Sequence, residues 1–233
     1  MKSRVKPMVK SVTAQPDGRR RKIFIVEDHP VFREGLVQII GGEKDLRVCG
    51  EAGDADRALR AITRLKPDLV LVDITLPGKS GLELIKELRA QNSRVRILVV
   101  SMHDEALYAD RVLRAGGDGY ILKQEDPEEI VHAMRDVLGG HIYVSEEVLA
   151  GAAKAALQRI SRPETHLMDL LTDLELNILE LLGRGKKNEE IARQLNLDAQ
   201  EVSSHCAQMR SKLKVKSDNA LVRYAAFWVE GGA

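Results

Sequence analysis

Five side chains between residues 27 and 123 are of the types that could accept and stabilise a phosphoryl group, and each stands at the end of a short apolar run. Glu27-Asp28 follow Ile23–Val26, Asp73 follows Leu69–Val72, Ser101 follows Val95–Val100, and Lys123 follows Gly119–Leu122. Three carboxylates drawn into one place repel one another unless a cation joins them. Mg2+ suits such a place: it prefers oxygen ligands, takes one or two carboxylates and keeps several waters. Asp73 could then attack as a nucleophile and become an acyl phosphate. Lys123 would supply a second positive partner for the phosphoryl oxygens, and the Ser101 hydroxyl a hydrogen bond. Taken singly, an aspartate in such a place is usually a turn or cap residue, and a lysine is usually solvated. The informative feature is that all five types occur together.

Whether they meet depends on the elements that carry them. The four runs, with Leu46–Cys49 as a fifth, are short, β-branched and nearly continuous in apolar residues, as strands buried on both faces of a parallel sheet are. Stretches with helical spacing separate and follow them: Val31, Leu36 and Ile39-Ile40; Ala58, Leu59, Ile62 and Leu65; Leu82, Leu84-Ile85 and Leu88; Leu107, Val112, Leu113 and Ala115; Ile130, Val131, Met134 and Val137-Leu138. Alternation of this kind predicts a doubly wound α/β domain with a five-stranded parallel sheet and right-handed crossovers over residues 22–141. The functional crevice of such a sheet lies beyond the carboxyl ends of its strands, where the five side chains fall.

Gly139-Gly140 closes that unit. Residues 142–167 read as a helical linker, with Ser145 as a candidate N-cap and Arg162-Pro163 near its end. Residues 168–228 are helical throughout and divide into four helices. Thr172 with Glu175, and Asp198 with Glu201, have the spacing of capping boxes. Asn188 to Leu195 makes a short helix, a longer one runs to Leu213, and a last one spans about Ser217 to Trp228. A short helix, a tight turn and a longer helix predict a helix-turn-helix, although the pattern also fits a plain helical bundle.

Bulk properties narrow the classes. The 233 residues are 44% hydrophobic and 30% charged with a formal net charge of +1, an ordinary globular composition. Residues 1–21 form a basic tail, and the first 22 residues hold eight lysines and arginines against Asp17 alone. Such a tail reads either as a solvated arm or as an attraction for nucleic-acid phosphates. Cys49 and Cys206 lack metal-ligand spacing and are expected as reduced thiols. No apolar run approaches the roughly 18 residues of a membrane span, and no apolar stretch follows the basic start. A soluble cytoplasmic protein without a membrane association is expected.

The stretches Val26-Glu27-Asp28-His29-Pro30, Leu71 to Gly81, Val100-Ser101-Met102-His103 and Ala115 to Lys123 resemble the receiver domain of NarL/FixJ-type two-component response regulators over residues 22–141. The resemblance implies a sensor histidine kinase as phosphoryl donor and Asp73 as the phosphoacceptor. It implies Asp28, Asp73 and the Thr75 carbonyl as Mg2+ ligands, with Glu27 acting through a metal-bound water. It also implies a switch in which Ser101 moves toward the phosphoryl group and Tyr120 rotates inward; Tyr120 as a surface aromatic is the plainer alternative. Thr75 and His103 would tune the lifetime of the acyl phosphate by controlling access of water. Gln124 stands after Lys123, where many receivers have proline.

Leu171-Thr172, Glu175, Gly185, Asn188, Glu190-Ile191-Ala192, Leu195, Val202, His205, Lys212-Leu213 and Val215 resemble the LuxR-type helix-turn-helix. That resemblance implies a DNA-binding domain over residues 168–228 that pairs as a homodimer once the receiver is phosphorylated. It departs from the family's Thr-Val-Lys at Glu201-Val202-Ser203, and Leu174 and Lys187 stand at an arginine and a serine position. Residues 168–233 hold nine basic side chains against ten acidic ones, so local clusters matter more than the sum. Lys186, Lys187, Arg210, Lys212, Lys214 and Lys216 are the candidate phosphate contacts, and Gln200, Glu201, Ser203 and Ser204 the candidate base contacts. Glu201 could instead serve purely as a cap, and His205 reads as a scaffold or phosphate-contact residue.

The expected activity is regulation of transcription, with Mg2+-dependent phosphorylation of Asp73 controlling DNA binding and no independent enzymatic turnover. The alternative is a receiver whose degenerate helix-turn-helix acts through protein partners. A phosphatase working through an acyl phosphate is disfavoured, because no second general acid and no cap domain accompany Asp73.

Overall fold

The computed structural model describes residues 19–91, 93–103, 105–145, 148 and 170–229. Expectations for residues 1–18 and for most of the helical linker lie outside the described residues. Five strands, β1 (Arg21–Val26), β2 (Leu46–Ala52), β3 (Leu69–Val72), β4 (Arg96–Ser101) and β5 (Gly119–Leu122), alternate with helices α1 (Pro30–Gly41), α2 (Ala55–Leu65), α3 (Gly81–Ala90), α4 (Glu105–Ala115) and α5 (Pro127–Leu138). The strands form one sheet in the order β2-β1-β3-β4-β5, and every neighbouring pair is parallel. The order reverses between β1 and β3, so the crevice at the carboxyl ends of these two strands is the switch point of the sheet.

Side-chain alternation along each strand divides the core into two layers. Phe24, Val26, Val70, Val72, Ile97 and Val99 pack with α2, α3 and α4. Ile23, Ile25, Leu69, Leu71, Leu98 and Val100 pack with Leu36 and Ile40 of α1 and with Ile130, Met134 and Val137 of α5. The nearly unbroken apolar runs of β1, β3, β4 and β5 follow from this double coverage, whereas the edge strand β2 exposes Arg47 and Glu51. Strand β2 is longer than its apolar run. It continues through Gly50-Glu51-Ala52 by pairing with β1, with a register irregularity at Ile23/Phe24.

Four further helices follow: α6 (Asp173–Gly183), α7 (Asn188–Leu195), α8 (Ala199–Lys212) and α9 (Asp218–Val229). Capping boxes start α6 at Thr172/Glu175 and α8 at Asp198/Glu201. Asn196 ends α7 in a left-handed conformation, φ 52°, which asparagine tolerates better than most residues. The apolar centre of this unit, with Ile178, Leu182, Ile191, Val202, Met209, Leu213, Leu221 and Trp228, is continuous with the α2–α3–α4 layer of the sheet domain. The junction is made by α6, whose residues Asp173, Asn177 and Glu180 are buried.

Candidate functional site: an acidic crevice and a helix-turn-helix face

The sheet brings the five sequence-selected side chains to one edge. Glu27 and Asp28 follow β1, Asp73 follows β3, Ser101 ends β4 and Lys123 follows β5. Lys123 Nζ lies 2.8 Å from Asp73 Oδ2 and 2.7 Å from Glu27 Oε2, and all three side chains are buried. The Lys123 ammonium also sits 4.9 Å from the centroid of the Phe32 ring, a residue that sequence reasoning passed over. Burial pulls the ammonium down, but the Asp73 and Glu27 carboxylates outweigh it and hold Lys123 above its ordinary value. Burial pushes the Asp73 carboxyl up to about 6; Glu27 adds to the rise, while Lys123 and the Thr75 backbone N–H oppose it.

The loop after β3 is shaped by glycine. A Cβ on Gly81 would stand 2.0 Å from the Asp73 carbonyl oxygen, and the Gly81 N–H donates to the Ile74 carbonyl at 2.8 Å. Only a residue without a side chain lets α3 begin this close to the end of β3. Ser80 caps α3 in a capping box with Glu83.

Donor atoms from Glu27, Asp28, His29 and Asp73 lie within 4.8 Å of one another. Asp28 Oδ1 is buried without a hydrogen bond, although His29 Nδ1 is 2.8 Å away. A buried carboxylate oxygen lacking a proper donor, set beside two further carboxylates, fits a hard, oxygen-seeking divalent cation. His29 also approaches Glu27 Oε1, at 3.1 Å from Nδ1. Its place directly after the acidic pair was the available signal for it.

Ser101 Oγ is buried and accepts from the His103 N–H at 3.2 Å. Tyr120 is buried as well, and its hydroxyl donates to the His103 carbonyl at 2.8 Å. Its ring is therefore inside the domain in this structure. Burial raises its phenol well above the ordinary value. His103 Nε2 lies 2.8 Å from Thr75 Oγ1, and His103 Nδ1 lies 2.7 Å from Glu180 Oε2 of α6.

That last contact belongs to a polar seam between the two units, which sequence reasoning missed. The Tyr108 hydroxyl donates to Asn177 Oδ1 at 2.6 Å. Arg111 meets Asp173 Oδ1 at 3.2 Å and donates to the Leu171 carbonyl at 2.6 Å. Ser80 Oγ lies 3.3 Å from Asp173 Oδ2. No local pattern announces pairs so distant along the chain.

On the helix-turn-helix, Gln200, Glu201, Ser203 and Ser204 are exposed on α8, as are Lys186 and Lys187 just before α7 and Lys214 and Lys216 just after α8. Glu201 caps α8 through its side chain and its own N–H, at 2.8 and 2.7 Å from Asp198. Ser203 Oγ donates to the Ala199 carbonyl at 2.9 Å. Three candidate phosphate contacts are engaged inside the unit, Lys186 with Glu190 at 3.7 Å among them. Lys212 Nζ binds both oxygens of the buried Glu175, at 2.8 and 2.6 Å, and Arg210 pairs with Asp218 at 3.2 Å. Lys212 is thus held in an ion pair with a buried carboxylate in this structure. Lys187, Lys214 and Lys216 have no ion-pair partner among the described residues.

A doubly wound sheet with an acidic, lysine-bridged crevice, followed by a helix-turn-helix, is the architecture of a response regulator with a DNA-binding output domain. The comparisons agree. Residues 23–135 match the response regulator receiver domain family, and residues 169–225 match the bacterial regulatory proteins of the luxR family. The chain is 35% identical over 210 residues to the nitrate/nitrite response regulator protein NarL of Escherichia coli (strain K12), covering 89% of this chain and 94% of that one. It is 33% identical over 208 residues to the oxygen regulatory protein NreC of Staphylococcus aureus (strain JH9), covering 88% of this chain and 96% of that one. Among solved structures, a LuxR-family two-component response regulator from Aurantimonas sp. SI85-9A1 superposes with a TM-score of 0.55 at 34% identity, covering 59% of this chain and 99% of that one. The chain belongs to the family of two-component response regulators with a receiver domain and a LuxR-type DNA-binding domain. The reading in which a degenerate helix-turn-helix works only through protein partners is not favoured. Among the described residues no helix is long and apolar enough to cross a membrane.

Proposed function

We propose that the crevice accepts a phosphoryl group on Asp73 from the phosphohistidine of a sensor kinase, and that the phosphorylated chain binds DNA as a homodimer in the cytoplasm. The observation that carries this reading is the buried Asp73 carboxylate held at 2.8 Å by Lys123, at the switch point of the sheet beside a carboxylate oxygen lacking a hydrogen bond. A carboxylate oxygen of Asp73 attacks phosphorus. The P–N bond to the donor imidazole breaks, and the imidazole nitrogen keeps the electron pair. Lys123 stays beside the new acyl phosphate and balances its charge. Glu27, Asp28, Asp73 and the Thr75 carbonyl would hold Mg2+, which supplies charge neutralisation for the phosphoryl oxygens. Ser101 and Tyr120 would transmit the change through their shared contacts with His103.

Supporting the division of labour, residues 22–141 form the receiver unit and residues 168–228 the DNA-binding unit, with 142–167 joining them and 1–21 as a basic tail. Lys186, Lys187, Lys214 and Lys216 supply phosphate contacts, and Gln200, Ser203 and Ser204 face the bases. Exposed Phe227 on α9 offers an apolar contact for the second copy. Incubation with radiolabelled acetyl phosphate and Mg2+ tests the acceptor directly. Wild type is expected to take up label and Asp73→Asn none; equal labelling of both would reject Asp73.

A further inference from the structure

We infer that Glu180, a side chain of the DNA-binding domain, positions His103 across the mouth of the phosphorylation site and so slows both entry and loss of the phosphoryl group. The inference rests on Asp73 being the acceptor and adds a second-domain residue to its chemistry. Thr75 stands two residues beyond Asp73, and His103 two beyond Ser101, in the loops that follow β3 and β4. The contact of 2.8 Å between Thr75 Oγ1 and His103 Nε2 therefore spans the edge of the sheet between adjacent strands.

What holds the imidazole there comes from α6. Glu180 Oε2 lies 2.7 Å from His103 Nδ1, and its side chain is 2% exposed. The ionised carboxylate can only accept, so the Nδ1 side of the ring donates to Glu180 and the Nε2 side is left to meet the Thr75 hydroxyl. Burial works to raise Glu180, but His103 and then Arg184 outweigh it and keep the carboxyl below its ordinary value. Arg184 anchors the other oxygen at 2.6 Å. On its far face the imidazole rests against the Tyr108 ring, with centroids 4.7 Å apart. Ring position and rotamer are thus held by groups on two domains, and removal of the carboxylate releases the Nδ1 side.

A bar across the mouth acts on traffic in both directions. Uptake requires the donor phosphorus to reach a carboxylate oxygen of Asp73. Loss requires water to attack the same phosphorus, with the Asp73–phosphoryl bond breaking to give inorganic phosphate and a free carboxylate. Glu180 touches none of these reacting atoms; it acts through His103 and is a positioning residue. The docked DNA-binding domain thereby reports its presence to the receiver, as coupling between two sites demands.

The test uses the full chain, Mg2+ and radiolabelled acetyl phosphate, with initial labelling and the decay of label after donor removal measured separately. In Glu180→Ala both rates are expected to rise about fivefold, the lower range of typical couplings between sites. Glu180→Gln, whose amide oxygen still accepts from Nδ1, is expected to remain near wild type. His103→Ala is expected to reproduce the rise, and adding Glu180→Ala to it should change nothing more. Wild-type rates in Glu180→Ala, or a rise that persists in the His103→Ala background, overturn the inference while leaving Asp73 as acceptor. Absence of label on wild type overturns the acceptor assignment itself, and this inference with it.

Discussion

Asp73 is asked to be both buried and charged, and its surroundings meet that demand incompletely. Burial is the largest influence on its carboxyl, and the Lys123 contact does not fully offset it, so the group sits at about 6 against an ordinary 3.8. A raised folded-state value means that stability from this group is present below pH 3.8 and is lost as pH rises through about 6. At neutral pH the ionised acceptor is therefore a net cost to the fold. Asp73→Asn is expected to stabilise the metal-free chain by ~2 kcal/mol at pH 7.5, with the gain gone at pH 3.5. Urea unfolding in EDTA at both values checks this, and an equal stability at pH 7.5 would contradict it. Magnesium acts on the same deficit from outside. Saturating Mg2+ should raise wild-type stability by ~2 kcal/mol or more at a hundred times its dissociation constant. Asp28→Ala, which removes the carboxylate oxygen that lacks a hydrogen bond, should lose most of that gain in the same titration.

At the level of elements, Asp73 is placed by where helix α3 begins. Gly81 leaves no room for a methyl group against the Asp73 carbonyl, with 2.0 Å available, so Gly81→Ala must move either the helix or the acceptor loop. A loss of ~1–3 kcal/mol is expected from such overpacking, accompanied by slower labelling at Asp73; wild-type labelling would show that the loop yields without consequence. Caps are a gentler version of the same placement. Asp198→Ala should cost ~1 kcal/mol in thermal unfolding, because it removes the box that starts α8. These elements were largely readable beforehand. Apolar runs gave all five strands, and the two Thr/Asp-x-x-Glu signatures marked α6 and α8, since both signals are local. The same spacing at Ser80 and Glu83 went unused, although it starts α3. The partner of Lys212 was not legible, for the opposite reason. Nothing near it in sequence says that Glu175, buried in α6, will turn its carboxylate toward it. Likewise the crevice was legible because the parallel topology aligns strand ends, whereas Glu180 reaches His103 only through the docking of one domain on another.

That docking governs the whole molecule, and its chemistry is polar at the centre. Tyr108 to Asn177, Arg111 to Asp173 and Leu171, and His103 to Glu180 are each well satisfied, so the closed arrangement depends on geometry that a modest shift of α4 or α6 would spoil. It does not depend on covering the recognition helix: Gln200, Glu201, Ser203 and Ser204 are exposed while α6 is docked. Under the proposed function, simple masking of these four side chains is not what this arrangement provides. Control would then act through the relative placement of two DNA-binding domains, or through exposure of the face that α6 now buries. Tyr108→Phe discriminates these cases. It removes the donor to the buried Asn177 oxygen, which should weaken docking by ~1–3 kcal/mol and raise amide exchange along α6. Because the base-reading face is already free, affinity of the unphosphorylated chain for DNA at fixed salt should change by no more than about twofold, well under 1.4 kcal/mol. A tenfold gain in the same binding titration would mean that docking hides a contact surface after all, and α6 would be the place to look for it.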